Sequence, residues 1–275
     1  MKIFITGGTG FIGSNFINLA HQKGINFIAL KNKNSNPRIN LYKSPNWVVG
    51  NMNDNWLKEL SICDSFIHFA SYGVVRDNTN WDKCFKINLI DSLKLWRQAI
   101  SSGIKKFVII GSCFEYGLSG TKYNKIPIDA PLKPKDAYAS SKAAATIAAI
   151  SLAIEYKLDL TVLRPFHVYG EGEDKERFWP TLIRCAKAGH NLKMTKGEQI
   201  RDFQHVQETV KDILFYLRKG SPLGNPTIVN LGSGEPKSLL QFATEEWTKI
   251  GAKSLILNGV KEYRPNETMR FVPEL

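Results

Sequence analysis

The run "KIFITGGTGFIGS" at residues 2–14 constrains the fold more than any other stretch of the chain. A short apolar strand pattern is followed at once by Gly7, Gly8, Gly10 and Gly13, and then by an apolar helical pattern. Glycine costs about 0.5–1 kcal/mol relative to alanine inside a regular element, so the cluster signals backbone shapes that other residues avoid. A strand, a tight turn and a helix start place free N–H groups at the positive end of a helix dipole, where a phosphate binds. Gly8-x-Gly10-x-x-Gly13 fits the dinucleotide-binding spacing, and Gly7-x-x-Gly10-x-x-Gly13 fits its close variant.

Strand and helix patterns then alternate, which predicts an α/β fold: a doubly wound parallel sheet with helices on both faces. Strands are expected at 2–6, 26–30, 46–50, 65–70, 105–112 and 158–166, with helices near 11–22, 54–60, 83–102 and 138–156. Beyond residue 170 the pattern loosens into "YGEGEDKERFWP", then a helix near 178–189 and shorter elements. The expected division is a nucleotide-binding domain over 1–170 and a smaller substrate-binding lobe over 171–275, with exchange of a strand and a helix between them allowed.

With 43% hydrophobic and 23% charged residues over 275 positions, the chain has the composition of an ordinary globular protein. The apolar run "AAATIAAISLAI" is shorter than the roughly 18 residues of a membrane span. No basic-then-apolar segment opens the chain, and Cys63, Cys84, Cys113 and Cys185 show no CxxC pairing or zinc spacing. Reduced thiols, a cytoplasmic location, no membrane association and no metal are therefore expected. The net charge of +12 is spread among acids without a basic block or a recognisable binding module, so it suits a small polyanion better than nucleic acid.

About 20 residues past the glycines, where an acid normally holds the ribose 2′-OH of NAD, stands "ALKNKN". Lys31 and Lys33 can instead attract the 2′-phosphate of NADP, so NADP(H) is the expected cofactor, with NAD(H) the alternative. Further on, "YASSK" sets Tyr138 and Lys142 at i and i+4, adjacent on one helix face, and Ser112 closes the strand before "CFEYG". A lysine cation about 4 Å from the phenol contributes about 4 kcal/mol at an effective dielectric of 20, equivalent to some three pKa units. Lys142 is thus expected to lower the pKa of Tyr138 into the range useful for proton transfer.

At this point the chain resembles the extended short-chain dehydrogenase/reductase family of nucleotide-sugar epimerases, dehydratases and ketoreductases. "TGGTGFIGS", "HFAS", "KINLIDSLKLW", "GSCFEYG", "YASSK", "LRPFHVYGEGE", "IRDFQHV" and "NLGSGEPKSL" occur in family order over nearly the whole length. The resemblance implies a Rossmann-type domain holding NAD(P), a C-terminal lobe closing on a nucleotide-diphosphate sugar, and Ser112, Tyr138 and Lys142 as the catalytic residues. It implies cofactor contacts from Gly7, Gly10, Phe11, Ile12, Gly13, Asn51, Met52, Phe69, Ala70, Ser71, Asn88, Pro165 and His167, besides Tyr138, Lys142 and the two lysines. Substrate contacts are implied for Ser112, Cys113, Phe114, Tyr138, His167, Arg177, Phe178, Arg201 and Arg264, the last two toward the diphosphate. It also implies a homodimer through the alanine-rich helix.

Within this family "GSCFEYG", "LRPFHVYGEGE" and "QIRDF" are most similar to CDP-abequose and CDP-paratose synthases, which reduce a 4-keto sugar. The family's dehydratases carry an Asp-Glu pair where Cys113 and Phe114 stand, and neither replacement relays a proton. The expected activity is therefore NADPH-dependent reduction of the C4 ketone of a nucleotide-linked 4-keto-6-deoxy or 3,6-dideoxy sugar, with a CDP-sugar favoured. The alternatives are a 4-epimerase retaining NAD and a non-catalytic NAD(P)- or RNA-binding member. His167 and His205 also read as ordinary loop histidines, Cys113 as a small buried hydrophobe, and Phe178 and Trp179 as core.

Overall fold

The computed structural model describes residues 1–74 and 80–275. Seven strands, β1 (Lys2–Thr6), β2 (Asn26–Lys31), β3 (Asn46–Val49), β4 (Ser65–His68), β5 (Lys106–Ile110), β6 (Asp159–Pro165) and β10 (Thr227–Leu231), form the main sheet. Their order is β10-β6-β5-β4-β1-β2-β3, and every neighbouring pair is parallel. The chain winds outward from β1 in both directions, so the connections diverge between β1 and β4 and open a crevice at the strand C-termini. This is the expected Rossmann-type α/β fold.

Strand periodicity sorts the core into two layers. Ile3 and Ile5 pack with Phe16 and Ile17 of α1 (Phe11–Gln22) and with Val210 and Ile213 of α7 (Val206–Lys219). Phe4, Phe66 and Phe107 face the other way, toward Leu95 and Trp96 of α4 (Ser92–Ser101) and the alanines of α5 (Ala137–Glu155). The short α2 (Leu57–Leu60) seals the same layer through Leu60, and α3 (Trp81–Phe85) runs through a π-helical stretch at 86–91 into α4. By length and composition α5 could cross a membrane, but half of its apolar window is buried, with Ala145, Ala149 and Ala153 in the core.

The smaller lobe holds β7 (His167–Tyr169), β9 (Ile200–His205), β11 (Pro236–Ser238) and β13 (Arg270–Phe271) in a second sheet, and β8 (Leu192–Lys193) paired with β12 (Ile256–Leu257). Its helices α6 (Phe178–Lys187) and α8 (Leu239–Ile250) pack through Leu182, Ala186, Ala243 and Trp247. The chain beyond residue 170 is not confined to this lobe: α7 and β10 return to the main sheet, where β10 pairs with β6.

The turn between β1 and α1 is held by backbone contacts that leave no room for side chains. Gly7 has φ +67°, and a Cβ there would stand 2.4 Å from the Ala70 nitrogen. A Cβ on Gly13 would stand 2.2 Å from the Gly7 carbonyl oxygen. Gly13→Ala is therefore expected to cost about 2 kcal/mol or more, because backbone rather than a flexible side chain must move. Thermal denaturation checks this, and a parental melting temperature in that variant would show that the turn relaxes freely.

Candidate active site

The first cleft lies over the C-terminal ends of β1, β4 and β5. It has a volume of about 490 Å³, and its walls include Gly7, Gly10, Phe11, Ile12, Gly13, Phe69, Ser71, Ser112, Tyr138, Lys142 and Pro165. Gly10 starts α1 without a side-chain cap, so the first-turn N–H groups of Phe11, Ile12 and Gly13 lack an intramolecular acceptor of that kind. A pyrophosphate supplies such acceptors, and the glycine turn admits its close approach, so these residues fit a dinucleotide.

Ser112 stands one residue beyond Gly111, which follows β5, and begins a 3₁₀ turn over Cys113–Tyr116. A capping box holds it there. The Ser112 N–H donates to Glu115 Oε1 at 2.8 Å, and the Phe114 N–H donates to Ser112 Oγ at 3.2 Å. Glu115 Oε2 accepts in turn from Arg164 Nε at 2.9 Å, an ion pair with side chains 0% and 3% exposed. Arg164 Nη1 also donates to the Tyr116 hydroxyl, which donates to Asn230 Oδ1 at 2.7 Å. The serine is thus fixed from below by a buried network spanning β5, β6 and β10.

Tyr138 and Lys142 lie on successive turns at the start of α5, whose N-cap Asp136 accepts from the Ala139 N–H at 2.8 Å. The expected depression of the tyrosine pKa does not occur. Burial pushes the Tyr138 phenol up to about 12, only partly offset by the Ser112 and Ser71 hydroxyls beside it. The Lys142 ammonium is directed instead at the Ile110 carbonyl oxygen, 2.5 Å away. Burial lowers Lys142 to about 8, with Glu115 opposing the shift. Desolvation thus sets the shift, and Tyr138 is a protonated phenol throughout the neutral range.

A second cleft of about 590 Å³ opens toward the smaller lobe. His167, Arg177, Phe178, Arg201 and Arg264 all line it, and it shares Phe114, Val168, Glu173 and Arg177 with the first cleft. Arg201 Nη2 reaches Glu267 Oε1 at 3.2 Å and the Thr268 carbonyl, while Nη1 donates to the Ile200 carbonyl. Cys113 lines the first cleft, and burial pushes its thiol up to about 12, with Glu115 adding and Arg177 and Arg201 opposing. At that value it is an unreactive thiol, packed among Tyr116, Phe166 and Phe271. His205 caps α7 and faces Glu171 at 3.5 Å, and no metal-binding cluster occurs among the described residues.

Several residues expected at the cofactor stand off the walls of the first cleft. Lys31 lies over the Trp47 ring at 5.4 Å, and Lys33 is exposed. Asn51 joins its backbone to Asp54 and Trp56, and Met52 packs against the core. The Ala70 N–H donates to Thr6 Oγ1, and His167 lines the second cleft only. Asn88 is buried: its amide exchanges hydrogen bonds with the Tyr72 backbone and donates to Ser141 Oγ at 2.9 Å. It therefore ties the loop after β4 to the helix that carries Tyr138.

The sequence pattern of the NAD dependent epimerase/dehydratase family matches residues 3–232. The chain belongs to that family. Among individual relatives, the dTDP-D-glucose 4,6-dehydratase of Bos taurus is 28% identical, aligned over 98% of this chain and 80% of its own. The CDP-abequose synthase of Salmonella typhimurium is 26% identical over 97% of this chain and 87% of its own. The solved UDP-N-acetylglucosamine 4-epimerase of Methanobrevibacter ruminantium, in complex with UDP-N-acetylmuramic acid, shares the fold with a TM-score of 0.88. It is 23% identical, and the superposition covers 100% of this chain and 89% of that one. These epimerase/dehydratase relatives divide among different reactions at similar identity.

Arg38, Glu115, Arg164 and Glu173 were not anticipated as parts of the site of this epimerase/dehydratase member. "SCFE" spells the capping box that fixes Ser112, a readable signal. Arg38 gives no such signal. It reaches the first cleft because its N–H bonds the Thr9 carbonyl, and its guanidinium meets Asp174 at 3.3 Å, 136 residues away in sequence.

Two outcomes follow from these buried charges. Glu115→Leu strands the Arg164 guanidinium in the core and is expected to cost about 3–5 kcal/mol in denaturant unfolding; a loss below about 1 kcal/mol would contradict the network. Lys142 holds its proton to about 8 in the folded chain but to about 10.4 when unfolded. Between those values the unfolded state binds more protons, so stability rises with pH, and below them the folded chain carries the full cost of the buried cation. Lys142→Met is therefore expected to raise stability at pH 7 by about 1–3 kcal/mol and to flatten the rise from pH 8 to 10. Unchanged melting curves at pH 7 and 9 would contradict this.

Proposed function

We propose that the protein is a nucleotide-sugar 4-ketoreductase, which uses NADPH to reduce the C4 ketone of a nucleotide-linked 4-keto-6-deoxy sugar, with a CDP-sugar favoured. The observation that carries this reading is a protonated Tyr138 beside Ser112 on the wall of the first cleft, with Cys113 and Phe114 where a dehydratase needs its acid and base. The resemblance of "GSCFEYG" to the 4-keto-sugar-reducing synthases supports the same choice.

When bound, the reduced dinucleotide supplies a hydride. Tyr138 gives its phenolic proton to the developing alkoxide, which its raised pKa permits because the proton is present at neutral pH. The Ser112 oxygen accepts from the Phe114 N–H, and its O–H, which lies against the Tyr138 phenol, donates to the same alkoxide when the substrate is bound. A preorganised donor of this kind contributes about 3–4 kcal/mol in the transition state. Lys142 keeps a positive charge under the site below about pH 8 and holds it at the end of β5. Arg177, Arg201 and Arg264 on the second cleft supply the charge for a diphosphate, whose binding places the sugar carbonyl at a distance from the chemistry.

The NADP preference rests on positive charge near the β2 end. Lys31 and Lys33 belong to that field, and Arg38 brings a guanidinium to the cleft wall itself. A homodimer through the outer face of α5, where Ile147 and Ile154 are exposed, belongs to the same reading.

Incubated with NADPH and a nucleotide-linked 4-keto sugar, the protein is expected to oxidise one NADPH per sugar consumed and to yield a product two hydrogens heavier. Isomerisation at constant mass without loss of NADPH absorbance would move it to the epimerases. Tyr138→Phe is expected to lower turnover by about 10²–10⁴-fold while NADPH binding persists, the range of a lost general acid. Turnover near the parental value would remove Tyr138 from the mechanism.

A further inference from the structure

Glu173 occupies a place that neither the hydride chemistry nor the diphosphate site uses. It lies on the loop between β7 and α6, and with Phe114, Val168 and Arg177 it is common to the walls of both clefts. Its side chain is 9% exposed. Oε1 faces Arg177 Nε at 3.5 Å, longer than the usual 2.7–2.9 Å of a charge-assisted bond. Oε2 is buried and has no hydrogen-bond partner among the described residues. Such an atom is costly to bury, so its retention where two ligand clefts meet points to a donor that arrives with a ligand.

The other acids of this loop are engaged differently. Asp174 pairs with Arg38, Glu171 is largely exposed and faces His205, and Glu176 is exposed and lines the second cleft only. Glu173 alone among these four lies on the walls of both clefts. A carboxylate repels a diphosphate, so the partner of Oε2 is a neutral or cationic donor. Burial pushes the Glu173 carboxyl up to about 7, with Arg177 and the Gly170 backbone opposing the rise and Asp174 adding to it. Both protonation states are then populated near neutrality, and each can hydrogen-bond a hydroxyl.

We propose that Glu173 is a sugar-binding residue, whose free Oε2 takes a ring hydroxyl of the substrate where the two clefts meet. The inference rests on the nucleotide-sugar reading above and adds to it: the sugar keeps a hydroxyl on the edge that faces the loop over 170–177. A substrate deoxygenated along that edge leaves Oε2 unpaired, which is the means by which the site rejects it.

The test is calorimetric titration of the parent, Glu173→Gln and Glu173→Leu with CDP, CDP-glucose, UDP and UDP-glucose in the presence of NADP⁺. The readout is the ratio of nucleotide Kd to nucleotide-glucose Kd for each base. Glu173→Leu is expected to lower this ratio about ten-fold or more, the worth of a hydrogen bond to a charged group, while CDP and UDP themselves bind as before or more tightly. Glu173→Gln, which keeps a hydrogen-bonding amide of the same shape, is expected to lose only part of the ratio. If Glu173→Leu does not give a cooperative melting transition, any loss of ratio in Glu173→Gln supports the proposal and an unchanged ratio overturns it. An unchanged ratio in folded Glu173→Leu, or equal weakening of nucleotide and nucleotide-glucose, overturns the sugar contact and leaves the nucleotide-sugar reading intact. A parent that binds none of the four ligands overturns that reading, and the contact falls with it.

Discussion

The Glu115–Arg164 ion pair is the interaction on which the site depends most. Two ions with side chains 0% and 3% exposed are tolerable only because each is hydrogen-bonded beyond the pair. Glu115 takes the Ser112 N–H, while Arg164 donates to the Tyr116 hydroxyl and the Ile128 carbonyl. Asn230 of β10 accepts from that hydroxyl and donates to the Ile126 and Glu274 carbonyls. One network thereby joins the serine, the centre of the main sheet and the end of the chain.

The chemistry of the site follows from desolvation more than from pairwise charge. Burying Tyr138 keeps its proton, and burying Lys142 brings its ammonium close to losing one. In both residues burial destabilises the charged form. The cost is met by the surrounding packing, in the manner of active sites that exchange stability for function.

What could be read in the sequence was local. The β1 turn, the Tyr138–Lys142 helix and the six strands through β6 each carry their signal within a dozen residues, and all six strands and this helix are present in the fold. The strand "TIVNL" at β10 lies beyond residue 170, where the strand–helix alternation loosens; with α7 it realises the exchange of a strand and a helix between the lobes that the sequence allows without locating it. Arg38 and Glu173 carry no local signal, since their meaning comes from the clefts they line. Spacing places Lys142 next to Tyr138 but does not report burial, and burial is what raises the phenol. Ser112 was legible as a strand-end residue, and "SCFE" carried the reason for its position.

The most direct test of this account is the crystal structure of the protein with NADP⁺ and the nucleotide-linked product sugar. The account places the C4 oxygen within hydrogen-bond reach, about 2.6–3.2 Å, of both the Tyr138 and Ser112 hydroxyls, with the diphosphate against the arginines of the second cleft. A C4 oxygen directed away from Tyr138, with a different carbon of the sugar facing the two hydroxyls, would contradict it.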